Sequence, residues 1–468
     1  MTGKRKRKLA MPDTLIIVAS VVLLVAILSW IIPSGTYDYQ EMNINGRIRN
    51  VAIDGTYHTI DKSEVTTTGF LGFFSVLYRG CVQAADVIFM ILCCCGTFGV
   101  VVKTGAFHAG IGTILKKLKG KEILLVPIIM MIFGLGGSVF GMASEFYGFY
   151  PLIVGLGVAL GYDAMFGFAI IAVGEFVGFM GATLNPYSVG IAQTISGVEL
   201  YSGTGYRAIC FVIFMAISII YVMVYGRKIK KNPGASVVFG EKNIHAFDRD
   251  ELNEYSFNLK DGLVLLDVLV VLVVLMLGLI KWGWDFPQLC GLFLLMSMIA
   301  AAICKWSPNK WCSEFIDSAK TAMWGCILTG IAKAITVVMQ DAQIMDTVIY
   351  GLSNVLKNAP HAVSAQVMLV VQTLINFFIP SATGQASATM PIMAQLADII
   401  GVSRQTAVLA FQFGDGLSNI FWPTADIVII CGLGGISLQK WYKWFTPLFL
   451  ILFAAQAILL GIATGIGF

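Results

Sequence analysis

Five ionisable side chains stand in stretches that are otherwise apolar: Glu145, Glu175, Lys333, Asp415 and Asp426. A charge held in hydrocarbon is costly, so each marks an ion or substrate path or a buried pair. Short runs of Gly, Pro, Ser, Thr and Asn surround them. These are Gly134-Leu135-Gly136-Gly137-Ser138 with Gly141 and Ser144, then Asn185-Pro186-Tyr187-Ser188, then Pro380-Ser381-Ala382-Thr383-Gly384-Gln385, then Asp415-Gly416-Leu417-Ser418-Asn419 followed by Pro423-Thr424. Such runs interrupt helices. A helix interrupted inside a bilayer exposes N–H and C=O groups that lipid cannot satisfy, so it is tolerated only against protein or a wet cavity. The free N–H groups suit a carboxylate, and the carbonyls with nearby amide and hydroxyl oxygens suit Na⁺.

The candidate substrate-binding residues are therefore Ser138, Ser144, Glu145, Asn185, Ser381, Thr383, Gly384, Gln385, Asp415, Asn419 and Thr424. Ser138, Asn185, Ser381 and Asn419 are the candidates for a coupling ion. Glu145 and Asp415 are best placed to receive a cationic group. Glu175 and Lys333 read equally well as functional charges or as a structural ion pair. For any single break a simple kink explains the residues; for the four as a set, a site does. The four histidines form no metal-ligand spacing, and no HExxH or Ser/His/Asp grouping points to an enzyme or a resident cofactor. The ten cysteines lack CxxC spacing and read as small hydrophobes.

The elements that must position these residues are membrane helices. The 468-residue chain is 57% apolar and only 12% charged, against about 25% charged in soluble domains. Apolar blocks at 14–32, 208–225, 262–280, 286–304 and 445–467 approach or exceed the roughly 20 residues a bilayer requires. Lys4-Arg5-Lys6-Arg7-Lys8 precedes the first block and reads as positive-inside retention rather than a nucleic-acid patch. The N-terminus is thereby expected in the cytoplasm and the C-terminus outside. The first block is too long for a cleaved signal and ends in Trp30-Ile31-Ile32-Pro33. For the topology to close, the blocks 122–161 and 361–400 must each enter and leave on one side, which makes them re-entrant hairpins. The expected fold class is an all-α polytopic membrane protein with about nine crossings by the length criterion.

Placing Pro151 on Pro391 aligns the two hairpins without gaps. Gly161 then falls on Gly401, Gly141 on Ser381, Ser144 on Gly384 and Glu145 on Gln385. Because the hairpins enter from opposite faces, the two halves read as inverted repeats, a feature of many secondary transporters whose sites lie between the halves. The expected organisation is a cytoplasmic basic tail (1–12), repeat 1 (13–226, with hairpin 122–161 and broken helix 164–198), a cytoplasmic linker (227–261) and repeat 2 (262–468, with hairpin 361–400 and broken helix 404–434).

Three stretches resemble the YfcC/ArcD family, a branch of the ion-transporter superfamily related to anaerobic C4-dicarboxylate carriers of the DcuC type. They are NPYSVGIAQ at 185–193, GQASATMPIM at 384–393 and RQTAVLAFQFGDG at 404–416, and the likeness runs along nearly the whole chain. The resemblance implies a homodimeric elevator-type carrier in which hairpins and broken helices move as a unit against scaffold helices. It implies exchange of basic amino acids such as arginine and ornithine, with dicarboxylates carried by more distant members. Where the family shows two consecutive acidic residues at the first tip, this chain has Ala143-Ser144-Glu145-Phe146, which weakens the case for a dibasic substrate. Lys333 stands where the family often has Arg and keeps the charge. The expected function is a secondary active transporter of small carboxylate-bearing metabolites in the cell membrane, foremost an arginine/ornithine-like amino acid antiporter. The alternative is a Na⁺- or H⁺-coupled carrier of C4-dicarboxylates or peptide-like solutes. The expected partners are a small solute, the bilayer and a second copy of the chain.

Overall fold

The structure, a computed structural model, describes residues 13–44, 47–118, 122–241, 243, 245, 257–357 and 363–468. The basic tail 1–12, Lys119, Lys121, His361 and residues 246–256 of the linker lie outside the described residues. Nineteen α-helices are described. In chain order they begin with α1 (Thr14–Ile31), α2 (Phe70–Gln83), α3 (Ala85–Lys103), α4 (Ala106–Leu118), α5 (Leu125–Leu135), α6 (Phe149–Ala159), α7 (Ala164–Met180), α8 (Ile191–Ile195) and α9 (Thr204–Lys231). The second part holds α10 (Leu259–Lys281), α11 (Phe286–Ile303), α12 (Pro308–Lys320), α13 (Met323–Asp341), α14 (Met345–Lys357), α15 (Ser364–Phe378), α16 (Ala382–Ile399), α17 (Arg404–Ser418), α18 (Asp426–Gly434) and α19 (Leu438–Gly465).

Among the described residues, seven helices are long and apolar enough to cross a membrane: α1, α3, α9, α10, α11, α13 and α19. At 1.5 Å per residue the shortest of them, with 18 residues, is about 27 Å long. The expected count of about nine is higher because it included 164–198 and 404–434, which are split into pieces too short to qualify alone.

The fold is not all-α. The stretch 34–60 contains β1 (Ser34–Thr36) paired antiparallel with β4 (His58–Ile60), and β2 (Tyr39–Ile44) paired antiparallel with β3 (Arg47–Ala52). Met42-Asn43-Ile44 alternates with the period of a pleated strand, and Val51 and Ala52 of β3 are buried. Asp346, in the first turn of α14, fastens this unit: it accepts from Thr36 Oγ1 (3.2 Å), Tyr37 N (3.0 Å) and Tyr39 Oη (2.8 Å). Burial and the adjacent Asp346 carboxylate push the Tyr39 phenol well above its ordinary value. Tyr57 stacks on Tyr350 with ring centroids 4.1 Å apart, and β3 packs on α16.

Two helices form the centre. All 17 residues of α7 are buried, and α17 is buried from Thr406 to Ser418. Each is flanked by a pair of arms. In α5, Met130 meets Gly174 and Gly134 meets Gly178, so α5 runs parallel to α7. In α6, Gly157 meets Gly167 and Tyr150 meets Glu175, so α6 runs antiparallel to α7. The chain therefore reverses between α5 and α6, over residues 136–148. The second half repeats the arrangement. Gln372 lies on Gly414 and Asn376 reaches Asp415 and Asn419, which makes α15 parallel to α17. The tight turn at 400–403, with Val402 N donating to Ala397 O, returns α16 antiparallel to it. Arg404 closes that turn on Asp398 (2.6 Å) and holds its carboxyl below the usual range.

Close helix approach here depends on glycine. A Cβ at Gly178 would stand 2.2 Å from Gly134 O. Gly178→Ala is accordingly expected to lower the thermal midpoint of the detergent-solubilised protein by several degrees, the consequence of an overpacking penalty of ~1–3 kcal/mol. Gly351→Ala, with no atom within 4 Å of the added Cβ, is expected not to lower it. Fluorescence-detected size-exclusion after heating measures both.

Candidate functional site

The first break is a five-residue π-turn, Gly136–Phe140, that ends at Gly141 in the left-handed region (φ 69°). It is stitched to the chain leaving α7. Ser138 Oγ donates to Gly181 O (3.0 Å), and Ser138 O accepts from Thr183 N (2.9 Å) and Leu184 N (3.2 Å). Asn185 Nδ2 donates to Gly137 O (3.1 Å), while its Oδ1 caps the next turn by accepting from Tyr187 N (2.9 Å) and Ser188 N (3.1 Å). Pro186 at the first position of that turn brings no N–H that would need a partner.

The second break is stitched in the same manner by different residues. Asn376 Nδ2 faces Asp415 Oδ1 (3.0 Å), Asn419 Oδ1 (3.2 Å) and Gln385 Oε1 (3.2 Å). Gln385 Nε2 donates to Gln372 O (2.9 Å), Thr424 Oγ1 to Phe377 O (2.7 Å) and Trp422 Nε1 to Thr373 O (2.7 Å). Asp415 Oδ2 and Asn376 Oδ1 are buried with no hydrogen-bond partner among the described residues. Ser381, in extended conformation, is the N-cap of α16, its Oγ accepting from Gly384 N (3.3 Å).

Several hydrogen bonds join the two halves, and those of Thr383, Tyr147 and Gln412 lie next to the breaks. Thr383 Oγ1 donates to Tyr187 O (3.1 Å), and Tyr147 Oη donates to Asp426 Oδ1 (2.9 Å). Gln412 Nε2 donates to Met180 O (2.9 Å) and Ala182 O (2.8 Å), so α7 and α17 approach through their C-terminal ends. Between the halves lies a cavity of about 410 Å³. Both reversals line it, with Gly141, Ala143, Ser144 and Glu145 from one and Pro380, Ser381, Ala382 and Thr383 from the other. Tyr187, Asn419 and Asp426 line it from the broken helices, and Phe176, Phe179, Trp284 and Phe286 supply apolar wall. Its charged lining is acidic: Glu145, Asp285 and Asp426, with no Lys, Arg or His among the described residues. The first N–H groups of α16, at Ala382 and Thr383, belong to the same wall.

Of the residues expected at the site, Ser144, Glu145, Ser381, Thr383 and Asn419 line this cavity. Ser138, Asn185, Gln385 and Thr424 lie behind it as stitches, and Gly384 and Asp415 are also outside the lining. The four coupling-ion candidates are divided between the two breaks rather than gathered. The half-helices, expected from the breaks to start after Ser144 and after Gly384, start elsewhere: α6 at Phe149, after a short 3₁₀ turn at Ser144–Phe146, and α16 already at Ala382. Glu145 is buried, its Oε2 accepting from Ala143 N (2.9 Å) and Ser144 Oγ (3.4 Å). Glu175 pairs with Tyr150, not with Lys333, which makes no ion pair among the described residues. Sequence reasoning missed Asp285, Asn376, Tyr147 and Tyr187. Asp285 starts α11 in a capping box with Gln288, and the signal for it, Asp285-Phe286-Pro287, reads as an ordinary helix start. No cluster of three or more His, Cys, Asp or Glu able to hold a metal ion is found among the described residues.

With this geometry established, comparison with known proteins is direct. Residues 11–465 match the family described as DcuC, C4-dicarboxylate anaerobic carrier. The chain is 32% identical, over 97% of both lengths, to YfcC of Escherichia coli (strain K12), whose name provisionally assigns it basic amino acid antiport. It is 27% identical, over 98% of both, to an uncharacterised protein of Haemophilus influenzae. Among solved structures, the Alcanivorax borkumensis YdaH transporter aligns over 98% of this chain and 99% of its own at TM-score 0.45 and 14% identity. Neisseria gonorrhoeae MtrF aligns over 97% and 96% at TM-score 0.44 and 16% identity. The chain belongs to the DcuC family and is a multi-pass membrane transporter of that family's YfcC branch.

Because Asn185 satisfies a break carbonyl and two N–H groups at once, Asn185→Ala is expected to destabilise the protein by ~1–3 kcal/mol. A fall of several degrees in thermal midpoint checks this, with Asn185→Asp, which keeps the cap acceptor but loses the donor, falling between.

Proposed function

We propose that the chain is a secondary active transporter of basic amino acids, arginine- or ornithine-like, working by exchange. The observation that carries this is the charge of the cavity: three carboxylates and no basic side chain. A dicarboxylate would bring two more negative charges into that space. At an effective dielectric near 20, two like charges 4 Å apart repel by about 4 kcal/mol. A dibasic amino acid meets the opposite situation. Its ammonium or guanidinium end faces Glu145, Asp285 and Asp426, and its carboxylate faces the first N–H groups of α16 beside Ser381. The aromatic wall of Phe176, Phe179, Trp284 and Phe286 suits its aliphatic stem and stacks a guanidinium.

Movement is proposed to follow the elevator scheme in a homodimer. The support is that α5–α8 and α15–α18 are bonded to one another across the cavity, whereas α1 and α2 pack on α13, and α11 and α12 on α3. The inverted-repeat reading rests on the repeated arrangement of arms about α7 and α17 and on their tail-to-tail meeting. A cytoplasmic N-terminus belongs to the same proposal; its support is the basic residues Arg227, Lys228, Lys230 and Lys231 at the end of α9, with Lys440 and Lys443 at the start of α19. The second reading, a cation-coupled dicarboxylate carrier, is favoured by one feature. The unpaired oxygens of Asp415 and Asn376 offer a place for Na⁺, so dependence of uptake on a Na⁺ gradient separates the two.

Uptake into proteoliposomes decides between them. Arginine and ornithine are expected to show saturable uptake, accelerated by internal arginine, while succinate shows none. Glu145→Gln and Asp426→Asn are expected to raise the apparent KM for arginine tenfold or more, the effect of losing a charge-assisted contact of about 1.5–3 kcal/mol. Saturable succinate uptake without arginine uptake overturns the proposal.

A further inference from the structure

Glu175 is left without a task by the transport reading. It sits midway along α7, is 0% exposed, and does not line the cavity. Tyr150 Oη donates to its Oε2 (2.8 Å), and its Oε1 has no partner among the described residues. The ionisable groups that face it are Tyr150 and, one turn earlier, Tyr147, together with Glu145 at the first tip and Asp426 at the start of α18. Neither α5 nor the π-turn that packs on α7 contains an ionisable side chain. From α9, Arg207 is turned to Gln405 and Phe468; from α17, Asp415 is turned to Asn376. An ionised Glu175 thus has neither water nor a cation to face, and two carboxylates nearby. A proton on Oε1 removes those costs at once.

Tyr147 and Tyr150, three residues apart in the turn before α6 and in its first turn, bond one carboxylate each: Asp426 on the cavity wall (2.9 Å) and Glu175 behind it (2.8 Å). We infer that Glu175 carries a transported proton, bound while the cavity is empty of cationic substrate and released when that substrate occupies Glu145 and Asp426. A cation on those two carboxylates cancels the negative field that keeps the proton in place. The Glu175 O–H bond then breaks, the carboxylate keeps the electron pair and the Tyr150 hydrogen bond, and the proton leaves to water in the cavity. Linkage makes the effect reciprocal: protonation of Glu175 weakens cation binding by the same factor. The carrier thereby reorients with either a cationic amino acid or a proton, and never with bare carboxylates. This inference rests on the transport reading and deepens it from exchange to cation/proton antiport.

The test uses the full-length protein in liposomes loaded with the pH indicator pyranine, with arginine added outside. Arginine entry is expected to alkalinise the lumen with about one proton leaving per arginine. Glu175→Gln, an uncharged mimic of the protonated form, is expected to keep arginine–arginine counterflow with a raised apparent KM for arginine and to lose at least tenfold of the coupled proton flux. Tyr150→Phe is expected to slow proton flux several-fold with counterflow unchanged. In weakly buffered detergent solution, wild type is expected to release about one proton on binding arginine, which bears on the inference even if Glu175→Gln fails to fold. Arginine uptake without proton movement, no proton release on binding, or undiminished proton flux in Glu175→Gln overturns this inference alone. Absence of arginine uptake and binding altogether overturns the transport reading beneath it.

Discussion

A backbone group inside hydrocarbon must find a partner, and this fold is arranged around four places where helices stop short of providing one. An unsatisfied N–H or C=O there costs several kcal/mol. The chain meets that cost by bonding breaks to breaks. The π-turn at 136–140 is bonded to the unwound chain at 181–185, and the end of α15 is bonded to the residues following α17. Once two breaks are bonded to each other they cannot be placed independently. Their free ends are then held facing the same space, and the cavity follows from that requirement.

A division of labour results. Amide side chains with both a donor and an acceptor take the stitching positions: Asn185, Asn376, Gln385 and Gln412. Carboxylates take the wall, where a charge can meet a solute rather than a backbone group: Glu145, Asp285 and Asp426. Asp415 and Glu175 are the exceptions, carboxylates placed behind the wall and bonded to Asn376 and to Tyr150.

The helices and their breaks were legible in the sequence because both leave local marks: uninterrupted apolar runs, and Gly, Pro, Ser and Asn clusters within them. Glu145, Ser381, Thr383 and Asn419 were found by that route. Long-range geometry leaves no local mark. Ser138 and Asn185 carry the same residue types as a site and instead satisfy backbone, a distinction visible only once the partner carbonyls at Gly137 and Gly181 are placed. Asp285 was missed because a helix-capping Asp and a cavity-lining Asp look alike in sequence. The strands at 34–60 were missed although Asn45-Gly46 between alternating residues is a strong hairpin signal, because attention to hydrocarbon-length runs passes over short polar elements. The start of α16 was misjudged by three residues, since Ser381 and Gly384 are both plausible helix boundaries until the cap bond decides.

The central claim is that two reversals far apart in sequence enclose one substrate. Single cysteines at Ser144 and at Thr383, each in a variant whose ten native cysteines are replaced, can be labelled with a methanethiosulfonate reagent with and without arginine. The account predicts that arginine slows labelling at both positions with the same half-protecting concentration. Protection at one position only, or at neither while arginine is still transported, would contradict it.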